Sequence, residues 1–131
     1  MSFTFSKEER LCSRQLIERL YSEGHRLMAY PYSVQWMVVR DSSDSSIPCQ
    51  VLIVAPKRKF HHAVDRNRVR RLTRECYRLR KQHLYDFLNM HGISIVFSMV
   101  YIHNEIMPFQ QLGHKMDKLL DALEKEIMAT L

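Results

Sequence analysis

The side chains with the greatest chemical capacity in this sequence are the cations of residues 63–81. On an α-helix, at about 100° per residue, they separate from the apolar side chains. The apolar face spans roughly 80° and carries Val69, Leu72, Cys76 and Leu79. The opposite face spans roughly 140° and carries Arg66, Asn67, Arg70, Arg71, Arg74, Arg78 and Lys81, with Arg68 and Arg80 at its margins.

A row of like charges on one helix face is unfavourable in water, because solvated helices usually mix both signs. Arginine suits phosphate, since its planar fork donates two parallel hydrogen bonds. The pattern therefore indicates a polyanionic partner. A merely solvated charged face is the alternative, and the one-sided charge disfavours it.

The positive charge of the chain is concentrated rather than spread. The 131 residues carry a net charge of +6, with a sequence pI of about 9.4. Residues 56–83 contain 11 Lys or Arg against 2 Asp or Glu, a local charge of +9, whereas the remainder carries −3. This region includes the basic loop Lys57, Arg58 and Lys59 before the helix. Such a patch is typical of nucleic-acid binders.

No catalytic or metal-binding constellation is recognisable in the sequence. The seven histidines are scattered, and there is no H-E-x-x-H motif, acidic cluster or P-loop. We therefore expect no catalytic residue, no bound metal or cofactor, and no small-molecule substrate. Cys12, Cys49 and Cys76 are widely spaced, as reduced thiols of a cytoplasmic protein would be. No apolar run reaches membrane-spanning length, so no membrane partner is expected.

The predicted fold is one α+β domain over residues 1–131, with the order α-β-β-α-β-α. Helices are expected at Ser13–Glu23, from Asp65 (as N-cap) to His83 or beyond, and from Phe109 to the end. Strands are expected at Tyr32–Arg40, Gln50–Ala55 and Ile93–Tyr101, with a polar turn at Asp41–Ser46. We expect the first two strands to form an antiparallel hairpin and the second to be central. The strand–helix–strand unit is long enough for a parallel pair.

Three functions fit the basic helix. A DNA-binding regulator would use residues 65–83 as a recognition helix, although the preceding helix and tight turn of a helix-turn-helix are absent. A sheet with aromatic residues beside a basic helix suits RNA better. An autonomous nuclease is disfavoured because no metal cluster is visible.

The segment Ala63-Val64-x-Arg66-Asn67-Arg68-Val69-Arg70-Arg71-Leu72-x-Arg74-Glu75 closely resembles the RNR signature of the bacterial ribonuclease P protein subunit. The resemblance extends to Arg10-Leu11, to Leu16-Ile17, Leu20-Tyr21 and Gly24 of the first helix, and to Val51–Val54 with Pro56-Lys57-Arg58. It covers nearly the whole chain.

This resemblance implies an α-β sandwich related to a ribosomal-protein domain, with a left-handed β-α-β crossover against the usual rule. It also implies assembly with ribonuclease P RNA, which removes the 5′ leader of precursor tRNA using bound Mg²⁺. The protein would bind that RNA and hold the leader in a cleft between the first helix and the sheet. Catalysis would then reside in the RNA.

Position by position, the resemblance implies an RNA-binding set and a leader-strand cleft. The residues that match the family's RNA contacts are Lys57, Arg58, Lys59, Arg66, Asn67, Arg68, Arg70, Arg71 and Arg74. Arg78, on the cationic face of the helix, completes the predicted RNA-binding set. The cleft set is Ile17, Tyr21 and Tyr32. Ile17 departs from the family, which often has phenylalanine there. Phe60-His61-His62 replaces the family's usual Gly-Asn, so a different loop bend is expected.

Overall fold

The structure is a computed structural model that describes residues 5–39 and 47–131. A short 3-10 helix at Lys7–Glu9 precedes the main elements. The helices are α1 (Arg14–Glu23), α2 (Ala63–His91) and α3 (Phe109–Thr130). The strands are β1 (His25–Ala29), β2 (Tyr32–Val39), β3 (Cys49–Val54) and β4 (Ser94–Tyr101). The predicted α+β order is confirmed, with β1 as an additional strand. Arg40 and the predicted turn at Asp41–Ser46 lie outside the described residues.

The four strands form one sheet in the order β1-β2-β4-β3. The predicted β2–β3 hairpin is wrong, because β4 lies between these strands and pairs antiparallel with β2. β4 is an inner strand between β2 and β3, and almost every residue in it is buried, as suits a strand covered on both faces. β3 is an outer strand, not a central one, and its predicted parallel pairing across the helix is confirmed. The left-handed crossover stays a prediction of the resemblance.

Helix boundaries follow local chemistry. α1 begins after Ser13, whose hydroxyl accepts a hydrogen bond from the Leu16 N–H at 3.3 Å. α2 begins after His62, so the predicted N-cap Asp65 instead lies in the first turn, where its charge suits the helix dipole. The helix ends at Gly92, whose φ of 64° is a left-handed conformation that favours glycine.

The sheet separates two hydrophobic clusters. On one face, α2 and α3 pack against alternate side chains of the strands, including Trp36, Phe97 and Met99. On the other face, α1 packs Leu20 against Met37 and Val96. The basic face of α2 therefore lies on one side of the sheet and α1 on the other.

No helix in the described part of the chain is long and apolar enough to cross a membrane.

Candidate nucleic-acid interface

α2 has a buried face and a cationic face, largely as predicted, but the buried face is rotated slightly around the helix axis. Val69 and Cys76 are buried against the sheet, joined by Thr73 and Tyr77. Leu79, predicted to be buried, is 44% exposed. Lys81, predicted on the cationic face, is only 4% exposed. The buried arc is therefore centred closer to Thr73 than the positions of the leucines suggested.

At the start of α2, Arg66 closes the preceding loop. One of its Nη atoms donates to the carbonyl oxygens of Phe60 at 2.8 Å and His61 at 3.0 Å. Phe60 itself is buried, with its ring centroid 5.9 Å from that of Tyr101. The departure at Phe60 therefore anchors the basic loop to the core, and Arg66 holds the loop against the helix.

The basic loop projects its cations from that anchor. Lys57 and Arg58 are exposed, and Lys59 donates from Nζ to Oδ1 of Asn104 at 3.1 Å. The loop thereby lies beside the segment that follows β4. All three side chains stay at the surface or close to it, where a phosphate can reach them.

Further along α2, the cations differ in how far they are neutralised. Arg68 and Arg71 are exposed, and Arg70 donates a hydrogen bond to Asn67. Arg78 instead makes two hydrogen bonds with Glu75, at 2.9 Å and 2.8 Å. These bonds raise the pKa of Arg78 and lower that of Glu75. Within residues 5–39 and 47–131, Arg78 is therefore the member of the predicted set whose charge is balanced by an acid.

Arg74 lies where positive charge accumulates. Partial burial lowers its pKa, and the charges of Arg10 and Arg70 lower it further. The nearby acid Glu75 opposes this only in part, since its carboxylate is engaged by Arg78. The predicted RNA-binding set did not include Arg10, because nothing in the sequence around Arg10 shows that folding brings this residue next to α2.

The predicted leader-strand residues do not lie together. Ile17 is half-buried with the α1 cluster, and Tyr21 is 44% exposed on the same helix. Tyr32 is fully buried on the opposite face of the sheet, where its hydroxyl hydrogen-bonds to that of Thr73 at 2.7 Å. Tyr32 therefore presents no ring face to a nucleotide, and its assignment to the cleft was wrong.

The sheet face beside α1 carries another cation that the sequence reasoning missed. Met37 faces α1, so Gln35 and Ser33 share its face by strand alternation. Arg26 on β1 pairs with Gln35 and is exposed, which places it on this face too. β1 itself was not predicted, so Arg26 had no place in the predicted site.

Among the described residues, no group of three or more His, Cys, Asp or Glu side chains is arranged to hold a metal ion. The candidate site therefore consists of guanidinium and ammonium groups with a few aromatic and amide side chains. Such a set binds phosphate and stacks on bases.

Comparison with known proteins identifies the family. The family model described as Ribonuclease P matches residues 5–124. The chain belongs to the ribonuclease P protein family. A ribonuclease P protein component from Porphyromonas gingivalis is 34% identical over 119 residues, covering 91% of this chain and 85% of the relative. One from Chlorobium phaeobacteroides is 32% identical over 122 residues, covering 87% and 84%.

Solved structures share the fold of this ribonuclease P family member. The Staphylococcus aureus RNase P protein superposes with a TM-score of 0.69 at 17% identity, covering 88% of this chain and 94% of that one. The Thermotoga maritima RNase P protein gives 0.63 at 20% identity, covering 86% and 94%. The resemblance noted in the sequence is thus confirmed, and the DNA-binding alternative finds no support in these comparisons.

Proposed function

We propose that this chain is the protein subunit of ribonuclease P, which binds the catalytic RNA and the 5′ leader of precursor tRNA. Its family membership and the one-sided charge of α2 carry this proposal. The chain would act in the cytoplasm, and its partners would be ribonuclease P RNA and precursor tRNA.

The basic face of α2 and the loop before it would bind the RNA backbone. The loop is held by Phe60 and Arg66, so its cations are presented at a fixed position relative to the helix. Arg68 and Arg71 are exposed on α2. Arginine forks recognise phosphate without reading sequence, so this surface would fix the orientation of the RNA on the protein.

The opposite side of the sheet would receive the leader. Tyr21 supplies an exposed ring on which a base can stack, whereas Ile17 supplies apolar contact only. Arg26 would add a cation on the same side. Since α2 and α1 pack on opposite faces of the sheet, a single domain could bridge the two RNAs.

The protein would contribute binding and not bond cleavage. Hydrolysis of the phosphodiester would be the work of the RNA subunit with its Mg²⁺ ions. The side chains of this chain would position the substrate and offset phosphate repulsion, which lowers the Mg²⁺ concentration that the RNA needs.

A salt titration of RNA binding tests the proposed surface. Wild-type protein should bind ribonuclease P RNA with an affinity that falls steeply as salt rises. Arg66→Ala, Arg70→Ala and Arg74→Ala should each lower the affinity and reduce the salt slope by about one unit. Lys118→Ala, which removes an exposed cation of α3, is the matched control. Wild-type behaviour in all three variants would contradict the assignment of this face.

A further inference from the structure

We propose that Arg10 joins Arg70 and Arg74 to form a phosphate-binding pocket, which takes a backbone phosphate of the RNA partner. The pocket has a volume of about 190 Å³ and lies where the N-terminal segment meets β3 and α2. Its other walls include Leu11, Cys12 and Val51. The choice of RNA as the source of the phosphate rests on the proposed function, whereas the phosphate chemistry rests on the three arginines.

The main chain at Arg10 is fixed by its neighbours. Leu11 is 2% exposed, and its N–H donates to the carbonyl oxygen of Val51 at 2.9 Å. Arg10 forms a β-bridge with Val51, so the N-terminal segment extends the sheet past its outer strand β3. This pairing aligns Arg10 with the adjacent flank of α2.

The preceding residue points the other way. The Glu9 carboxylate is buried, where it accepts hydrogen bonds from Lys81 and from the Tyr85 hydroxyl. The nearest acid in sequence is thus engaged by another cation and does not neutralise Arg10. Within residues 5–39 and 47–131, no ion pair joins a carboxylate to Arg10, Arg70 or Arg74.

The guanidinium of Arg10 also has a fixed neighbour. Its Cζ lies 5.8 Å from the ring centroid of Phe5, within the range of a cation–π contact. Its charge is felt at Arg74, whose pKa is lowered first by burial and then by Arg10 and Arg70. The fold therefore brings three cations to one pocket, and the contact with Phe5 helps to position the guanidinium of Arg10.

An arrangement of this kind is unfavourable in the free protein and favourable around an anion. Like charges repel most where burial reduces screening by water. A phosphate would accept hydrogen bonds from several guanidinium groups at once and remove the repulsion. The partly exposed apolar side chains that also line the pocket, Leu52 and Ile53, would contact the adjoining sugar, so the pocket would recognise a phosphodiester without reading the base.

RNA binding by Arg10→Ala is the first test. We expect its affinity for ribonuclease P RNA to fall about tenfold, with a salt slope lower by about one unit. Arg10→Lys should recover only part of the affinity, since it keeps the charge and loses the fork. Lys118→Ala, with the same loss of charge elsewhere, should bind as wild type does.

Thermal unfolding separates binding from a structural role. Because Arg10 is held among cations, Arg10→Ala should unfold at the same temperature as wild type or higher. A lower melting temperature together with unchanged RNA affinity would mean that Arg10 only supports the fold, and would overturn the pocket.

Alkylation of Cys12 tests the pocket in the wild-type protein, without any substitution. Cys12 is exposed and lines the pocket, whereas Cys49 and Cys76 are buried, so a thiol reagent reports on one site. Pyrophosphate, as a small phosphate probe, should slow this alkylation several-fold in wild type and less in Arg10→Ala. Equal rates with and without pyrophosphate would overturn the pocket.

The outcomes distinguish the two proposals. If wild type fails to bind ribonuclease P RNA but pyrophosphate still protects Cys12, the proposed function fails and the phosphate pocket stands. If wild type binds the RNA while Arg10→Ala binds equally well and Arg70→Ala binds weakly, the pocket fails and the RNA-binding face stands.

Discussion

Glu9 and Lys81 form an ion pair in the interior of the protein, with side-chain exposures of 5% and 6%. The other carboxylate oxygen of Glu9 accepts hydrogen bonds from the N–H of Ser6 at 2.6 Å and from its hydroxyl at 3.0 Å. The Tyr85 hydroxyl completes the set at 2.7 Å. These contacts attach the N-terminal segment to the middle of α2 and so determine where Arg10 lies.

Removing only one partner of this ion pair should destabilise the folded protein. Lys81→Met leaves the Glu9 charge buried without its main partner, and we expect a loss of about 3–5 kcal/mol in the free energy of unfolding. Urea denaturation measures it, with Lys118→Met as the exposed control. The double variant Glu9→Gln, Lys81→Met should regain much of the loss. A double variant less stable than Lys81→Met would contradict this account of the pair.

The same carboxylate should make stability depend on pH in the acid range. Burial alone would raise the pKa of Glu9, but hydrogen bonds from Lys81, Ser6 and Tyr85 together lower it below the usual 4.5. A lowered folded pKa stabilises the protein above the unfolded value, and this contribution is lost as pH falls through the folded value. Urea midpoints should therefore fall below about pH 4.5, and less so in Glu9→Gln than in wild type. Parallel pH profiles for the two proteins would exclude Glu9 as the source.

Ser98 lies in β4 with its side chain buried at 1% exposure. Its hydroxyl has no hydrogen-bond partner within the part of the chain that the structure describes. Removing an unsatisfied buried hydroxyl relieves its desolvation cost. Ser98→Ala should therefore either leave the free energy of unfolding unchanged or raise it, by about 1–3 kcal/mol at most. Thermal and urea unfolding both report on this, and a clear loss of stability would show that the hydroxyl is satisfied in solution.

Cations that differ in pairing should contribute unequally to RNA binding. Arg71 is exposed, so Arg71→Ala should reduce the salt slope by about one unit. Arg78 is balanced by Glu75, so Arg78→Ala should change the slope less. Glu75→Gln removes the acid from this face and should strengthen RNA binding. Equal effects of Arg71→Ala and Arg78→Ala would mean that Glu75 releases Arg78 to the RNA.

The proposed leader site and the core give contrasting predictions for the exposed Tyr21 and the buried Tyr32. Tyr21→Ala should weaken binding of precursor tRNA with a leader about tenfold, because an exposed ring on which a base stacks is lost. Binding of mature tRNA should not change. Phe109→Ala removes an aromatic of similar exposure, 41% against 44%, from α3 and is the control. Tyr32→Phe should affect stability alone, by about 1–3 kcal/mol, since the Thr73 hydroxyl loses its partner.

The sequence predicted what local chemistry determines. The start of α1 at Ser13 was predictable, because an N-cap depends on a hydrogen bond to a residue three positions ahead. The division of α2 into two faces was recognisable from helical periodicity, and the signature segment was sufficient to indicate the family. The features that failed depend on distant pairing.

The order of the strands in the sheet and the burial of individual side chains could not be predicted from local sequence. β1 is short and mixed in polarity, so its strand character becomes clear only from its pairing with β2. Tyr32 and Lys81 were misplaced because their burial depends on which face of the sheet or flank of the helix meets a remote segment. Glu9 pairs with a residue 72 positions away, and no local pattern marks that contact. Arg10 was missed for the same reason.

Cleavage of precursor tRNA at low Mg²⁺ concentration tests the central claim most directly. Bacterial ribonuclease P RNA should be assayed with and without this protein, alongside the protein alone. We predict cleavage at the mature 5′ end only when RNA and protein are both present, and weaker stimulation by Arg70→Ala than by Lys118→Ala. Unchanged cleavage on adding the protein, or cleavage by the protein alone that survives repurification, would contradict the account.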